Sequence, residues 1–327
     1  MLRPMPPDRF VRRPRHLIHI GFAKAASTSL QAWFTARPDI AFTADGLGGF
    51  GGGFALANQS AEQSTTPALY VTSAEAFALP LAPSATGQLA VSDREAQQRV
   101  CDVLRTLFAD PLILIITRGF QGTIAAGASQ YVRQGGVLSV SRLARWYSEP
   151  EMIAGADALA YDRVVRIYEQ AFGAESVIVL PYELLVDDPH RFLNILEDRL
   201  GVAHREIPIP RTNVGLTSAE LHWYPRFSRA AILIERYLGR PGRRFAATYR
   251  THIIAPTGSV KARWLASTLA RIIKEPEVDL KAIVPDATIV GCVEHAVRLI
   301  QRPEYAAYVS AYQAPGSANE PAIDYQR

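Results

Sequence analysis

Four short apolar runs, separated by stretches with helical spacing, restrict this chain to few architectures. They are HLIHIG (16–21), ALYVTS (68–73), PLILIITR (111–118) and SVIVLPYE (176–183). The third and fourth are almost wholly apolar, as strands covered on both faces are. Helical patterns lie between them, at 28–36, 92–108, 157–172 and 187–202. The first of these puts Leu30, Trp33 and Phe34 on one side, and the last opens on Asp-Pro and ends at Gly201. Strands alternating with helices predict an α/β fold of three layers, with helices on both faces of a central, mainly parallel sheet. After about residue 210 no strand is expected. Helical patterns at 217–238, 259–273 and 289–301 predict C-terminal helices packed on the sheet. The expected organisation is a basic arm (1–15), a single domain (16–312) and a loose tail (313–327).

Charge and composition narrow the function. Thirty-five Lys/Arg against 31 Asp/Glu give a net charge of +4, too mild to imply a nucleic-acid partner but suited to small anions. Four arginines fall in RFVRRPRH (9–16), which reads as a solvated arm. No stretch reaches the roughly 18–20 apolar residues of a membrane span, and no apolar signal segment follows the arginines. Cys101 and Cys292 have no metal or disulfide spacing and read as buried thiols. A cytoplasmic setting is expected.

The motif with most chemistry is GFAKAASTS (21–29), between the first strand and the first helix. A helix N-terminus offers unpaired N–H groups and the positive end of its dipole. Ala25 and Ala26 allow close backbone approach, Ser27, Thr28 and Ser29 add hydroxyls, and Lys24 adds a charge. These are the parts that grip a phosphoryl oxygen. An ATP-binding P-loop ends in Gly-Lys-[Ser/Thr], whereas here the lysine stands three residues before the first hydroxyl. The plain alternative is a strand–turn–helix corner with a serine cap and a solvent-facing lysine. A second feature is Arg118, at the C-terminal end of the third apolar run, where open α/β sheets bind ligands. A guanidinium there can fork onto a phosphate, or pair with a carboxylate. Ser129, Tyr131 and Arg133 follow on a helix-like stretch.

Together these motifs resemble those of sulfotransferases that use 3′-phosphoadenosine 5′-phosphosulfate (PAPS), of the carbohydrate type. HIGFAKAASTSLQ is similar to their 5′-phosphosulfate loop, with Ala23 where proline is usual and Ala26 where glycine is usual. The resemblance implies a P-loop-NTPase-like sheet. It places Lys24 at the bridging oxygen and Ala25 to Ser29 around the 5′-phosphate, and it makes Arg118 and a serine on the following helix the holders of the 3′-phosphate. The usual spacing lands on Ala126; Ser129, one turn on, is the first substitute and Thr123 the second. VIVLPYELLVDDPHRFLNILEDRLGV resembles a further, structural part of the family, and GRPGRRFAATYR (239–250) is a candidate for its late basic loop. The likeness covers about 16–202.

Transfer also needs a base for the acceptor. Glu75, after the second strand, is the first candidate, with His222 and His252 behind it; His19 is expected to be buried and hydrogen-bonded. FTADGLGGFGGGF (42–54) matches a dinucleotide glycine pattern only formally and reads as a loop over the acceptor. Trp146, Tyr147, Trp223 and Tyr224 suit stacking on a sugar or core packing equally. The expected activity is sulfuryl transfer from PAPS, without a metal, to a hydroxyl or amine of a glycan or small molecule. A nucleotide kinase and a non-catalytic nucleotide-binding protein are the alternatives.

Overall fold

The computed structural model of the chain describes residues 15–22, 24–43, 68–74, 77–78, 82–83, 89–90, 94–108, 110–146, 159–210, 215–252 and 260–314. The strands are β1 (Arg15–Gly21), β2 (Ile40–Thr43), β3 (Leu69–Ala74), β4 (Ala82–Pro83), β5 (Leu89–Ala90), β6 (Leu112–Thr117) and β7 (Val177–Pro181). The helices are α1 (Ser27–Ala36), α2 (Arg94–Leu107), α3 (Phe120–Arg133), α4 (Val140–Trp146), α5 (Tyr161–Phe172), α6 (Tyr182–Asp187), α7 (Pro189–Leu200), α8 (Ser218–Tyr237), α9 (Gly239–His252), α10 (Val260–Ile273) and α11 (Asp286–Val293). Five strands form one all-parallel sheet in the order β2-β3-β1-β6-β7. β4 and β5 make a separate short antiparallel pair. β2 is not among the expected strands, because four residues are too few to establish a period.

Helices cover both faces, so β6 and β7 are buried at every position. β1 shows the alternation directly. The ring of His19 faces Phe34 of α1, while His16 lies 4.3 Å from Phe108, just past α2. On the α1 side, buried Arg37 pairs with Glu197 of α7 and also donates to Asp39 and to the Ala203 carbonyl. On the opposite side Cys101 of α2 packs on the Ile167 carbonyl of α5. Burial pushes the Cys101 thiol up to about 12 and the Cys292 thiol up to about 11, so both are inert. α7 starts and stops as its sequence dictates: the Asp188 carboxylate accepts from the Arg191 amide at 2.9 Å, and Gly201 closes the helix in the left-handed region.

The C-terminal helices pack on the sheet domain through a second core. Leu221 and Tyr224 of α8 and Ala262 and Ala266 of α10 meet Ala128 and Val132 of α3 and Leu143 of α4. Two expectations for this region need correction. The helical pattern at 289–301 yields α11 only, followed by short 3-10 turns. The Asp162 carboxylate accepts the amides of Arg298 and Leu299, both at 2.8 Å, at the start of one of these turns. Residues 239–250 are not a loop but the body of α9. Gly239, at φ 57°, breaks the chain from α8, and Pro241 falls in the first turn, where no backbone donor is needed.

The sheet order fixes where a ligand can sit. From β1 the chain passes to β2 and β3 on one side and returns to β6 on the other. The crevice past the C-terminal ends of β1 and β6 is therefore the topological switch point. The β1–α1 loop and Arg118 both lie there.

Candidate functional site

The β1–α1 loop reaches α1 through two left-handed residues, Lys24 (φ 66°) and Ala26 (φ 63°). An L-residue in that region costs about 1–2 kcal/mol, and backbone strain of this kind collects at functional sites. Ala26 is the N-cap of α1, yet no side chain caps the helix and no acidic residue lies in its first turn. The positive end of α1 is thus left without a carboxylate in that turn. Ser27, Ser29 and Ala25 are buried, Lys24 and Ala26 half-buried and Thr28 exposed. The Ser27 hydroxyl is buried without a hydrogen-bond partner. An orphaned buried hydroxyl costs about 1–3 kcal/mol and calls for an explanation such as an absent ligand. An anion at the helix terminus satisfies the hydroxyl and the dipole together, so the residues fit such a group. The strain is itself testable. Ala26→Gly is expected to raise unfolding stability by about 1 kcal/mol, because glycine accepts both the φ and the cap position; a urea titration showing a loss would deny the strain.

Arg118 joins this loop. Its Nη1 donates to the Lys24 carbonyl at 3.0 Å, and its guanidinium lies 4.4 Å from the Tyr182 ring centroid. One of five N–H donors is used by that carbonyl. Gly122, in the first turn of α3, lets the side chain fold back, since a Cβ there would stand 3.1 Å from Arg118 Nε. Gly122, Ala126 and Ser129 share one face of α3 by helical spacing. Ser129 is buried and its hydroxyl accepts the Leu216 amide at 3.3 Å. Thr123 donates to the Arg118 carbonyl at 3.1 Å and lies 3.4 Å from the Tyr161 hydroxyl, so its hydroxyl serves the backbone.

Residues that pattern reading missed hold the Arg118 corner in place. Tyr161 donates to the Arg118 carbonyl at 2.7 Å. Glu183 accepts from the Gly119 amide at 3.0 Å and from the Tyr312 hydroxyl at 3.1 Å. Thr117 bonds the hydroxyls of both Tyr305 and Tyr312. The backbone at Ala311 packs so closely that a Cβ on Gly119 would fall 2.5 Å from its carbonyl oxygen. The one available signal was the Tyr182-Glu183 pair, which stands in the resemblance as structural; here it meets Arg118 and its neighbour directly.

The remaining candidates divide. Glu75, Tyr147 and the glycine-rich segment 44–54 lie outside the described residues, as do the side chains of Trp146 and His252. His222 bonds the Pro276 carbonyl at 3.0 Å and faces Glu275. Tyr224 is a core residue whose hydroxyl donates to Glu220, so core packing, not sugar stacking, accounts for it. Trp223 is half-buried, with Arg226 over its ring.

His19 is buried, as expected. Its Nδ1 lies 2.8 Å from Ser73 Oγ, which also accepts from Gln31. Burial pushes the imidazole down to about 4, and that of His16 likewise. The unfolded chain binds these protons near pH 6.5. The histidines therefore contribute stability that is complete above pH 6.5 and is lost as pH falls toward 4. Unfolding in urea at pH 7 and pH 5 is expected to show a lower midpoint at pH 5, and His19→Gln to flatten the dependence. An unchanged slope would contradict burial of the neutral ring.

No family model matches the sequence, and no curated protein matches it. Solved structures with a similar course include a sulfotransferase from Alicyclobacillus acidocaldarius, 16% identical with a TM-score of 0.45, over 78% of this chain and 100% of that one. They also include mouse sulfotransferase SULT7A1 complexed with PAP, 11% identical with a TM-score of 0.43, over 92% of this chain and 88% of that one.

Proposed function

We propose that the chain is a sulfotransferase that moves a sulfuryl group from PAPS to a hydroxyl or amine of a carbohydrate or small molecule. The observation that carries this reading is the buried, unpartnered Ser27 hydroxyl at an uncapped helix start, on a loop that Arg118 joins from the next strand. In this reading the amides and hydroxyls of 25–29 hold the 5′-phosphate, and Lys24 meets the oxygen between phosphorus and sulfur. Arg118 takes the 3′-phosphate, with Ser129 as the serine on its helix. The acceptor oxygen forms a bond to sulfur while the sulfur–oxygen bond to phosphate breaks. The acceptor proton passes to a base, for which Glu75 is the candidate, and Lys24 offsets the charge that develops on the leaving phosphate. A nucleotide kinase is less well supported. The polar side chain at the end of β6 is Thr117, bonded to two tyrosines, and Arg118 follows where a magnesium-binding aspartate is expected.

Arg118→Lys keeps the charge but loses the fork. It is expected to raise KM for PAPS at least about tenfold with a smaller change in kcat. Release of adenosine 3′,5′-bisphosphate, followed over a panel of hydroxyl and amine acceptors, measures both. Wild-type kinetics in this variant would remove Arg118 from the donor site.

A further inference from the structure

The helical region α8–α10 has a character of its own. Residues 218–274 contain eleven Lys/Arg and two Asp/Glu, a net charge of +9, which leaves the rest of the chain at −5. One of the two acids, Glu220, is buried and bonded to Thr217, Tyr224 and Arg263, so it adds little to the surface field. The same region holds most of the exposed large apolar side chains among the described residues. Ten of the fifteen large hydrophobics that stand exposed among the described residues lie between Ile232 and Ile273. Tyr237 is 74% exposed, Val260 82%, Trp264 68% and Ile272 71%. On α10 the organisation is plain. Ala262 and Ala266 are buried in the core that α10 shares with α3, α4 and α8. The opposite face presents Val260, Lys261, Trp264, Arg271 and Ile272, all exposed. At the α8–α9 junction, Tyr237, Leu238 and Phe245 alternate with Arg236, Arg240 and Arg243 in the same way.

A core-packing role does not explain apolar side chains that point away from the core, and solubility does not explain the clustering. From the combination we infer that α8–α10 form a docking face for a bilayer surface rich in anionic lipid. Lysine and arginine meet the headgroups, while tryptophan and aliphatic side chains enter the boundary with the acyl chains. The face would lie on the membrane, since among the described residues no helix is long and apolar enough to cross one. Charge argues against a second copy as the occupant: two faces that both present exposed Arg236, Arg240, Arg243, Lys261 and Arg271 repel. Nucleic acid would satisfy the charge but leaves Val260, Trp264 and Ile272 unexplained.

The test uses the full chain and sedimentation with vesicles of phosphatidylcholine, alone or with about 30% phosphatidylserine. Binding is expected to the second kind only, and to weaken strongly between about 0.1 M and about 1 M salt. Each basic side chain removed should cost about fivefold in partitioning, so Lys261→Glu/Arg271→Glu should lower it more than twentyfold. Trp264→Ala should weaken binding and leave the melting temperature unchanged, because the ring is exposed. Lys24→Ala should bind vesicles as the wild type does, which separates this face from the donor site. Failure to bind anionic vesicles, equal binding to both kinds, or wild-type partitioning in the charge-reversed variant would each overturn the inference. So would a stable dimer that buries Trp264, or tight binding of an RNA oligonucleotide with vesicles ignored.

Discussion

Lys24→Ala is expected to lower kcat for sulfuryl transfer about 10²–10³-fold, the loss typical when one preorganised donor to a developing oxyanion is removed. The charge on Lys24 is useful chiefly as the leaving phosphate gains its own, so the loss should fall on kcat more than on KM. The phosphate itself is held by other groups, the helix start and the hydroxyls of 27–29. Binding of adenosine 3′,5′-bisphosphate should therefore change by less than about tenfold. Because Lys24 is left-handed at φ 66°, a second variant separates charge from backbone. Lys24→Gly should show the same kinetic loss while being at least as stable as the alanine variant. If initial rates in either variant match the wild type, the lysine has no part in the reaction.

Glu197→Ala is expected to destabilise the fold by about 3 kcal/mol, the low end for breaking a buried ion pair by removing one partner. The side chains of Arg37 and Glu197 are 0% and 1% exposed, so the arginine would be left buried with a weakened set of acceptors. Asp39 and the Ala203 carbonyl remain to it, which keeps the cost from rising further. The pair joins the C-terminal end of α1 to α7, and α1 carries the phosphate loop at its other end. A urea titration should show the lower midpoint with an unchanged slope. A loss under about 1 kcal/mol would mean that water reaches the arginine.

Local patterns made four of the five strands of the main sheet and the two motif residues legible. β6 and β7 are buried on both faces and so read as continuous apolar runs, and the start of α7 is an Asp-Pro signal within a few residues. Lys24 and Arg118 each stand at a strand end, and the parallel order of β1 and β6 then brings them together. What escaped depends on contacts between distant positions. Tyr305 and Tyr312 act on Thr117 across nearly two hundred residues, and nothing in their neighbourhood marks them. Asp162 holds the start of a 3-10 turn in another part of the chain. Residues 239–250 were a candidate for a basic loop only through the resemblance, and their glycine and proline fall at a helix start. The left-handed Ala26 was foreshadowed only by the glycine usual at that place, and the orphaned Ser27 hydroxyl needs three-dimensional burial to be seen at all.

Calorimetric titration of the wild-type protein with adenosine 3′,5′-bisphosphate, adenosine 5′-phosphate and ATP with magnesium tests the central claim most directly. The account expects the bisphosphate to bind tightest. Its 3′-phosphate should contribute at least about tenfold over the 5′-phosphate alone, and Arg118→Lys should erase most of that difference. Equal affinity for the two adenosine phosphates, or a clear preference for ATP with magnesium, would contradict it.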